Sequence, residues 1–274
     1  MRRFEQARRF DLHLHSTRSD GRFPPEDVLA RCAAGRLDVV ALTDHDLTTP
    51  LAPGLHTVNG RTLHVIAGAE VSGVHDGREF HLLVYFPAAV PDAFRTFCTE
   101  RAQHRAERYA RAVDRLGLPG LDAPDDAARR GERALTRHHL ARALVDAGAA
   151  ADTRDAFRRF VCHSHGIVDR VDLDFREAIR VARKHGGVTS WAHPPMPALR
   201  TYLPAFVGAG LHGIEALRPH TSARDRNTMR RLARQHGLVL TGGSDWHGWA
   251  DADLGLFAVE RGSLRGFLDL LEAA

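Results

Sequence analysis

Short apolar runs alternate along this chain with segments of helical spacing. The runs at Phe10–Leu14, Asp38–Thr43, Leu63–Val71, Phe80–Tyr85, Gly187–Trp191, Gly213–Ala216 and Leu238–Thr241 have strand length. Between them, Pro25–Ala34, Asp174–His185, Pro197–Ala209 and Ala223–His236 read as helices. Pro25 sits where a first helical turn tolerates proline, and Gly186-Gly187 and Gly237 follow helices, where a C-terminal cap favours glycine. Such alternation predicts an α/β fold built from βα units. Seven strands with intervening helices fit a (β/α)-type barrel better than an open sheet. A last strand near Leu256–Val259 and a helix from Ser263 onward close the chain.

One stretch breaks the alternation. From about Pro91 to Phe160 only helical patterns appear: Asp92–Leu116, Thr136–Asp146 and Asp152–Phe160, interrupted by the connection Gly117–Asp126. The expected organisation is therefore a barrel domain from residues 1–90 and 161–274, with residues 91–160 as an all-helical insertion or cap.

Composition narrows the class without naming a chemistry. With 274 residues, 43% hydrophobic and 26% charged, the chain is an ordinary soluble globular protein. Collagen-like, disordered and disulfide-scaffold classes are excluded. No window approaches the roughly 20 apolar residues of a membrane helix, and the start Met1-Arg2-Arg3-Phe4-Glu5 lacks a signal peptide's apolar core, so a cytoplasmic protein with no membrane partner is expected. A net charge of +4 argues against a general nucleic-acid binder working by bulk electrostatics. Cys32, Cys98 and Cys162 form no CxxC pair, so no cysteine zinc site is indicated. The unusual figure is 18 histidines.

Their placement carries the chemistry. The first strand ends Asp11-Leu12-His13-Leu14-His15, and alternation puts Asp11, His13 and His15 on one face. Asp20 follows in the loop. The second strand ends Thr43-Asp44-His45-Asp46, the third reaches Glu70, and the fourth begins near His81. The fifth ends Trp191-Ala192-His193-Pro194 and the seventh Gly243-Ser244-Asp245-Trp246-His247. Barrel active sites lie at the C-terminal strand ends. Converging imidazoles and carboxylates suit Mn²⁺, Zn²⁺ or Fe²⁺, and there are more ligands here than one ion can use.

These motifs resemble the PHP (polymerase and histidinol phosphatase) family of metal-dependent phosphoesterases, and the resemblance spans almost the whole chain. It is carried by Asp11–Ser16, Thr43–Asp46, Gly68–Ser72 with His81, Ala192–Pro194 and Gly243–Gly248. It implies a distorted (β/α)7, TIM-like barrel with three divalent ions, Mn²⁺ before Fe²⁺ or Zn²⁺. One ion would be held by His13, His15, Glu70 and Asp245, a second by Glu70, His81 and His193, and a third by Asp20, His45 and His247. Asp11 and Asp44 are expected to support catalysis by accepting the other N–H of metal-binding histidines and so fixing the ring tautomer. With clustered ions no protein nucleophile is needed, and a metal-bound hydroxide is expected to attack phosphorus.

The segment Thr136-Arg137-His138-His139-Leu140-Ala141-Arg142 resembles the nucleoside 3′,5′-bisphosphate phosphatase subgroup, whose members also trim short RNA. It implies Arg137 at the substrate phosphate, with His139 and His220 also facing substrate. The expected partner is a small phosphorylated nucleotide or short RNA, with no obligate protein partner. The alternatives are a histidinol-phosphate phosphatase and a non-catalytic nucleic-acid-binding PHP module. Finally, Arg101, Arg105, Arg108, Arg111 and Arg115 recur along one stripe of the first long insertion helix. We read this stripe as a solvated face with ion pairs to Glu100, Glu107 and Asp114 rather than a strip guiding an oligonucleotide.

Overall fold

Short strands and amphipathic helices assemble, in the computed structural model, into a mixed sheet flanked by helices. The structure describes residues 3–250 and 252–274; Met1, Arg2 and Asp251 lie outside it, and with them part of the N-terminal stretch read above for a leader. Strand β1 (Arg9–Leu14) leads through a loop and helix α1 (Pro25–Ala34) to β2 (Val39–Leu42), parallel to β1. Next come β3 (Gly54–Val58), β4 (Arg61–His75) and β5 (Arg78–Phe86). Later βα units supply α6 (Phe175–Lys184), β6 (Val188–Trp191), α7 (Met196–Ala209), β7 (Gly213–Leu217), α8 (Ala223–His236) and β8 (Val239–Gly242), before β9 (Val259–Glu260) and α9 (Arg261–Ala273). The sheet order is β8-β7-β6-β5-β4-β2-β1-β9, with β3 paired to β4.

This path nearly closes into a barrel. At one end Leu14 bridges Trp246, just past β8, and the His15 and Asp245 N–H groups donate to Trp246 O and His13 O at 3.0 and 2.9 Å. At the other end β9 pairs antiparallel with Arg9 and Phe10. The closure depends on Gly243, where a Cβ would stand 2.5 Å from the His13 backbone N and Cβ.

Two features depart from the expected strand pattern. First, β3 and β4 form a hairpin around Asn59-Gly60, both at positive φ (51° and 75°), as a type I′ turn demands. Second, β4 and β5 are joined by Asp76-Gly77, again both at positive φ, and pair antiparallel. A two-residue turn cannot return a parallel strand, which needs a crossover of a dozen or more residues. The barrel is therefore mixed, with β5 running against its neighbours β4 and β6.

The segment between β5 and β6 is helical: α2 (Asp92–Leu116), α3 (Asp126–Arg129), α4 (Arg137–Asp146), α5 (Thr153–Ala156), a π-helical turn at Phe157–Val161 and a 3₁₀ turn at His163–His165. Ala112, Leu140, Ala141, Leu144, Ala156 and Val161 give it a small apolar core of its own. The α2 arginine stripe is not a solvated face. Arg101, Arg105 and Arg108 are buried and meet acids of the barrel and its loops rather than of their own helix. Arg105 Nε lies 2.5 Å from Asp46 Oδ2, Arg101 Nη2 2.5 Å from Asp172, and Arg108 Nη1 3.7 Å from Glu79. Arg111 and Arg115 share Asp169; of the expected local pairs only Arg111–Glu107, at 4.0 Å, appears among the described residues. The stripe thus fastens the helical segment to the barrel. No helix among the described residues is long and apolar enough to cross a membrane.

Candidate metal centre

The nine histidines and carboxylates read from the strand ends gather in one cluster, with Glu70 at its centre. Glu70 is fully buried on β4, and its two oxygens face five imidazoles. Oε1 lies 3.0 Å from His193 Nε2, 3.2 Å from His81 Nδ1 and 3.4 Å from His13 Nε2. Oε2 lies 2.9 Å from His45 Nδ1 and 3.4 Å from His15 Nε2. Asp245 Oδ1 sits 3.4 Å from both His13 and His15, and Asp20 sits 3.2 Å from His247 and 3.7 Å from His45. Four overlapping groups could each hold a metal ion: His15, Asp20, His45 and His247; His13, His15 and Asp245; His13, Glu70 and His193; His45, Glu70 and His81. His81 thus groups with His45, and His193 with His13, whereas the resemblance paired His81 with His193.

The donor set fits divalent ions on a separate ground. His13 Nε2, His15 Nε2, His45 Nδ1, His81 Nδ1, Asp20 Oδ1 and Glu70 Oε2 are all buried without a hydrogen-bond partner. Orphaned buried polar atoms are costly, and six distributed over these overlapping groups call for cationic ligands. The backbone is also strained here. His193, Asp245 and Asp46, none of them glycine, hold φ at 31°, 58° and 49°. Such outliers persist where surrounding structure over-determines them; the N–H groups of Asp245 and Asp46 donate to His13 O and Glu70 O, and that of His193 to Glu215 Oε2. A register shift between Asp11 and Leu14 further re-aims β1 around His13.

Electrostatics follow from packing carboxylates among imidazoles in a dry site. Burial disfavours charge on His81, yet Glu70 and Glu79 outweigh it and raise its pKa to about 10. His247, likewise opposed by burial, is pushed up to about 9 by Asp20 and Asp245. His15 goes the other way, to about 4, through burial and the neighbouring His247 and His45. Glu70 is held well below the usual carboxylate range, its burial outweighed by His45, His13 and His81.

Asp11 and Asp44 do not do what was expected of them. Asp11 Oδ1 accepts the Ser244 N–H at 2.8 Å, and burial lifts its pKa to about 7. Asp44 accepts from the backbone N–H and hydroxyl of Ser16 and of Ser19. Both carboxylates hold loops, because strand-end backbone donors reach them before any imidazole does. The carboxylate that orients a ring is Glu215 of β7. It is fully buried, 2.9 Å from His13 Nδ1, and accepts the His193 N–H at 2.8 Å. It stands as the one charge in the otherwise apolar run Gly213–Leu217, a signal the sequence carried. Arg218 follows it, with Nη2 3.5 Å from Asp245 Oδ2. Glu79 hydrogen-bonds His163 Nε2 at 3.1 Å and lies 3.7 Å from His81 Nε2.

The remaining expected residues divide. Arg137 opens α4 beside Arg108, and no hydrogen bond or ion pair among the described residues engages its guanidinium. His139 is a helix cap: its Nδ1 accepts the Thr136 N–H at 3.0 Å, and burial lowers its pKa to about 4. Its neighbour His138 instead lines, with His220, a cavity of about 730 Å³ that opens at Asp20, Asp245 and His247.

The PHP domain model matches residues 11–90 of the chain. The 5′-3′ exoribonuclease Rnm of Escherichia coli (strain K12) is 33% identical over 250 residues, covering 87% of this chain and 85% of that protein. The chain belongs to the PHP family. Two further relatives widen the substrate range within it. The phosphoribosyl 1,2-cyclic phosphate 1,2-diphosphodiesterase of Eggerthella lenta is 32% identical, covering 87% of this chain and 94% of that one. The 3′,5′-nucleoside bisphosphate phosphatase of Chromobacterium violaceum is 31% identical, with 86% of each covered. Among solved structures, a Bifidobacterium adolescentis protein assigned as a metal-dependent phosphoesterase superposes with TM-score 0.76 at 25% identity, covering 95% of this chain and 96% of that one. This PHP protein is a hydrolase of phosphoester bonds, with side-chain clusters able to bind metal.

Proposed function

We propose that this PHP protein removes the 3′-phosphate of nucleoside 3′,5′-bisphosphates and trims short RNA from its 5′ end, using three divalent ions, Mn²⁺ before Fe²⁺ or Zn²⁺. The observation that carries the reading is the cluster of nine donors centred on Glu70, six of their atoms lacking hydrogen bonds, beside an open cavity large enough for a nucleotide. The names of the E. coli and C. violaceum relatives support the substrate class.

His13, His15, Asp20, His45, Glu70, His81, His193, Asp245 and His247 would hold the ions. Ions there would lower the pKa of bound water and stabilise charge on the phosphoryl oxygens. The protein's share is placement. Glu215 fixes the His13 ring and the strained His193 backbone; Asp11 and Asp44 fix the loops carrying Ser244 and Ser16. Arg218, beside Asp245, and the unengaged Arg137 offer guanidinium forks to phosphate oxygens. Residues 91–160 act as a cap over residues 1–90 and 161–274, with His138 on the cavity wall and Arg137 beside Arg108.

The test is phosphate release from a nucleoside 3′,5′-bisphosphate by chelator-treated protein reloaded with Mn²⁺, with products resolved by chromatography. A nucleoside 5′-monophosphate should appear. Release only from histidinol phosphate or from a cyclic phosphodiester would overturn the substrate class. Arg137→Ala should raise KM for the bisphosphate about ten-fold or more, as loss of a charged hydrogen bond does; an unchanged KM would remove Arg137 from the site.

A further inference from the structure

We infer that the loop after β8 is a nucleobase-stacking site, with Trp249 as its platform and Leu256 as its rim. This rests on the nucleotide reading above and assigns the part of the substrate that the metal centre does not touch. A phosphoryl group alone fills little of a 730 Å³ cavity, and ligand pockets of this size are built mainly from apolar and aromatic walls around a few polar groups. Here the lining combines Asp20, Asp245 and His247 with the apolar and aromatic Trp249, Leu256 and Phe257. Trp249 is 41% exposed and Leu256 80% exposed, two of the exposed large hydrophobic side chains of the fold.

The platform is fixed and tied to the reaction centre. Trp249 Nε1–H donates to the backbone carbonyl of Asp20 at 2.6 Å, so the indole is registered against one of the candidate metal-holding residues. The Arg142 guanidinium of α4 sits 3.8 Å from the ring centroid, a cation–π contact that pins the indole to the helical segment, and the Arg22 guanidinium lies 5.9 Å from the same centroid. A rigid aromatic surface beside a phosphate-handling centre suits the flat, apolar π-face that every nucleobase presents. Stacking of this kind is tolerant of base identity, so purine and pyrimidine nucleotides should both be accepted. A simple phosphomonoester would leave the wall uncovered.

The experiment compares a nucleoside 3′,5′-bisphosphate with abasic ribose 3,5-bisphosphate, which differs only in the base, on the Mn²⁺-loaded enzyme. Wild-type protein should favour the nucleotide about ten-fold or more in kcat/KM. Trp249→Ala and Leu256→Ser should shrink that preference by raising KM for the nucleotide more than KM for the abasic substrate. Trp249→Phe should retain the preference, because it keeps the ring and loses only the N–H to Asp20. Equal turnover of the two substrates by wild-type protein would overturn the inference; so would a Trp249→Ala variant that loses both activities alike while Leu256→Ser loses neither. If wild-type protein hydrolyses neither substrate, the proposed function fails separately. The subsite is then read from tryptophan fluorescence with a nucleoside 5′-monophosphate: quenching lost in Trp249→Phe supports it, and quenching that is absent or unchanged overturns it.

Discussion

The mouth of this barrel holds two sets of buried charge, satisfied in opposite ways. On the α2 face, Arg105 has Asp46 at 2.5 Å and the Ser72 hydroxyl at 2.7 Å, so a buried cation meets a buried anion and a polar partner within the protein itself. Around Glu70, carboxylates and imidazoles also sit within 3–4 Å, yet six of their polar atoms have no hydrogen bond. A completed ion pair is a structural fastener. A cluster whose buried polar atoms lack hydrogen bonds has the donors to bind cations, so losing a member should cost stability in the first and turnover in the second.

The largest contrast lies between Glu70→Gln and its effect on turnover. Removing the shared carboxylate should cut phosphate release on the order of 10³-fold, since metal-based charge stabilisation supplies several kcal/mol. Arg105→Met should instead cost about 3–5 kcal/mol in urea unfolding by stranding Asp46, with metal content retained.

A smaller effect isolates the cap helix by pH. His139 is neutral in the fold, its pKa lowered to about 4 from 6.5 by burial. The unfolded chain therefore binds a proton first as pH falls. The stability contributed by neutral His139 is whole above about 6.5 and is lost as pH drops toward 4, by at most about 3 kcal/mol. Unfolding curves of wild type and His139→Gln between pH 7 and 4 check this. Gln keeps the acceptor of the capping box without the titration, so the two curves should diverge below pH 6.5. Parallel curves would contradict it.

Glu215→Gln sharpens the comparison from the metal side. Losing the carboxylate that orients His13 should weaken Mn²⁺ binding 10–100-fold, read by calorimetric titration. At the small end, Arg111→Ala, an exposed pair with Asp169, should change stability by less than about 1 kcal/mol.

How much of this was legible depended on whether the signal was local. Strand ends rich in His and Asp stand out against apolar runs, which places candidate ligands there, while the assignment of nine of them to ions came with the resemblance to the PHP motifs. Asn59-Gly60 and Asp76-Gly77 are also local signals, and reading them as type I′ turns would have given the β3–β4 hairpin and the antiparallel β5. Glu215 was visible only as one charge in an apolar strand; its partner His13 lies 202 residues away. The α2 arginines were least legible. Helical spacing correctly puts them on one stripe, but whether that stripe faces water or a barrel rim bearing Asp46, Glu79 and Asp172 is a tertiary fact. Asp11 and Asp44 failed for a similar reason: their neighbours in sequence are imidazoles, but their neighbours in space are backbone N–H groups and serine hydroxyls.

The most direct test of the central claim, that the Glu70 cluster is incomplete without divalent ions, is the metal stoichiometry of chelator-treated protein titrated with Mn²⁺. Wild-type protein should bind more than one ion per chain with a concentration-dependent rise in Tm, and Glu70→Gln should lose most of that binding while remaining folded. Binding of no Mn²⁺, Fe²⁺ or Zn²⁺ by folded wild-type protein, or undiminished binding by Glu70→Gln, would contradict it.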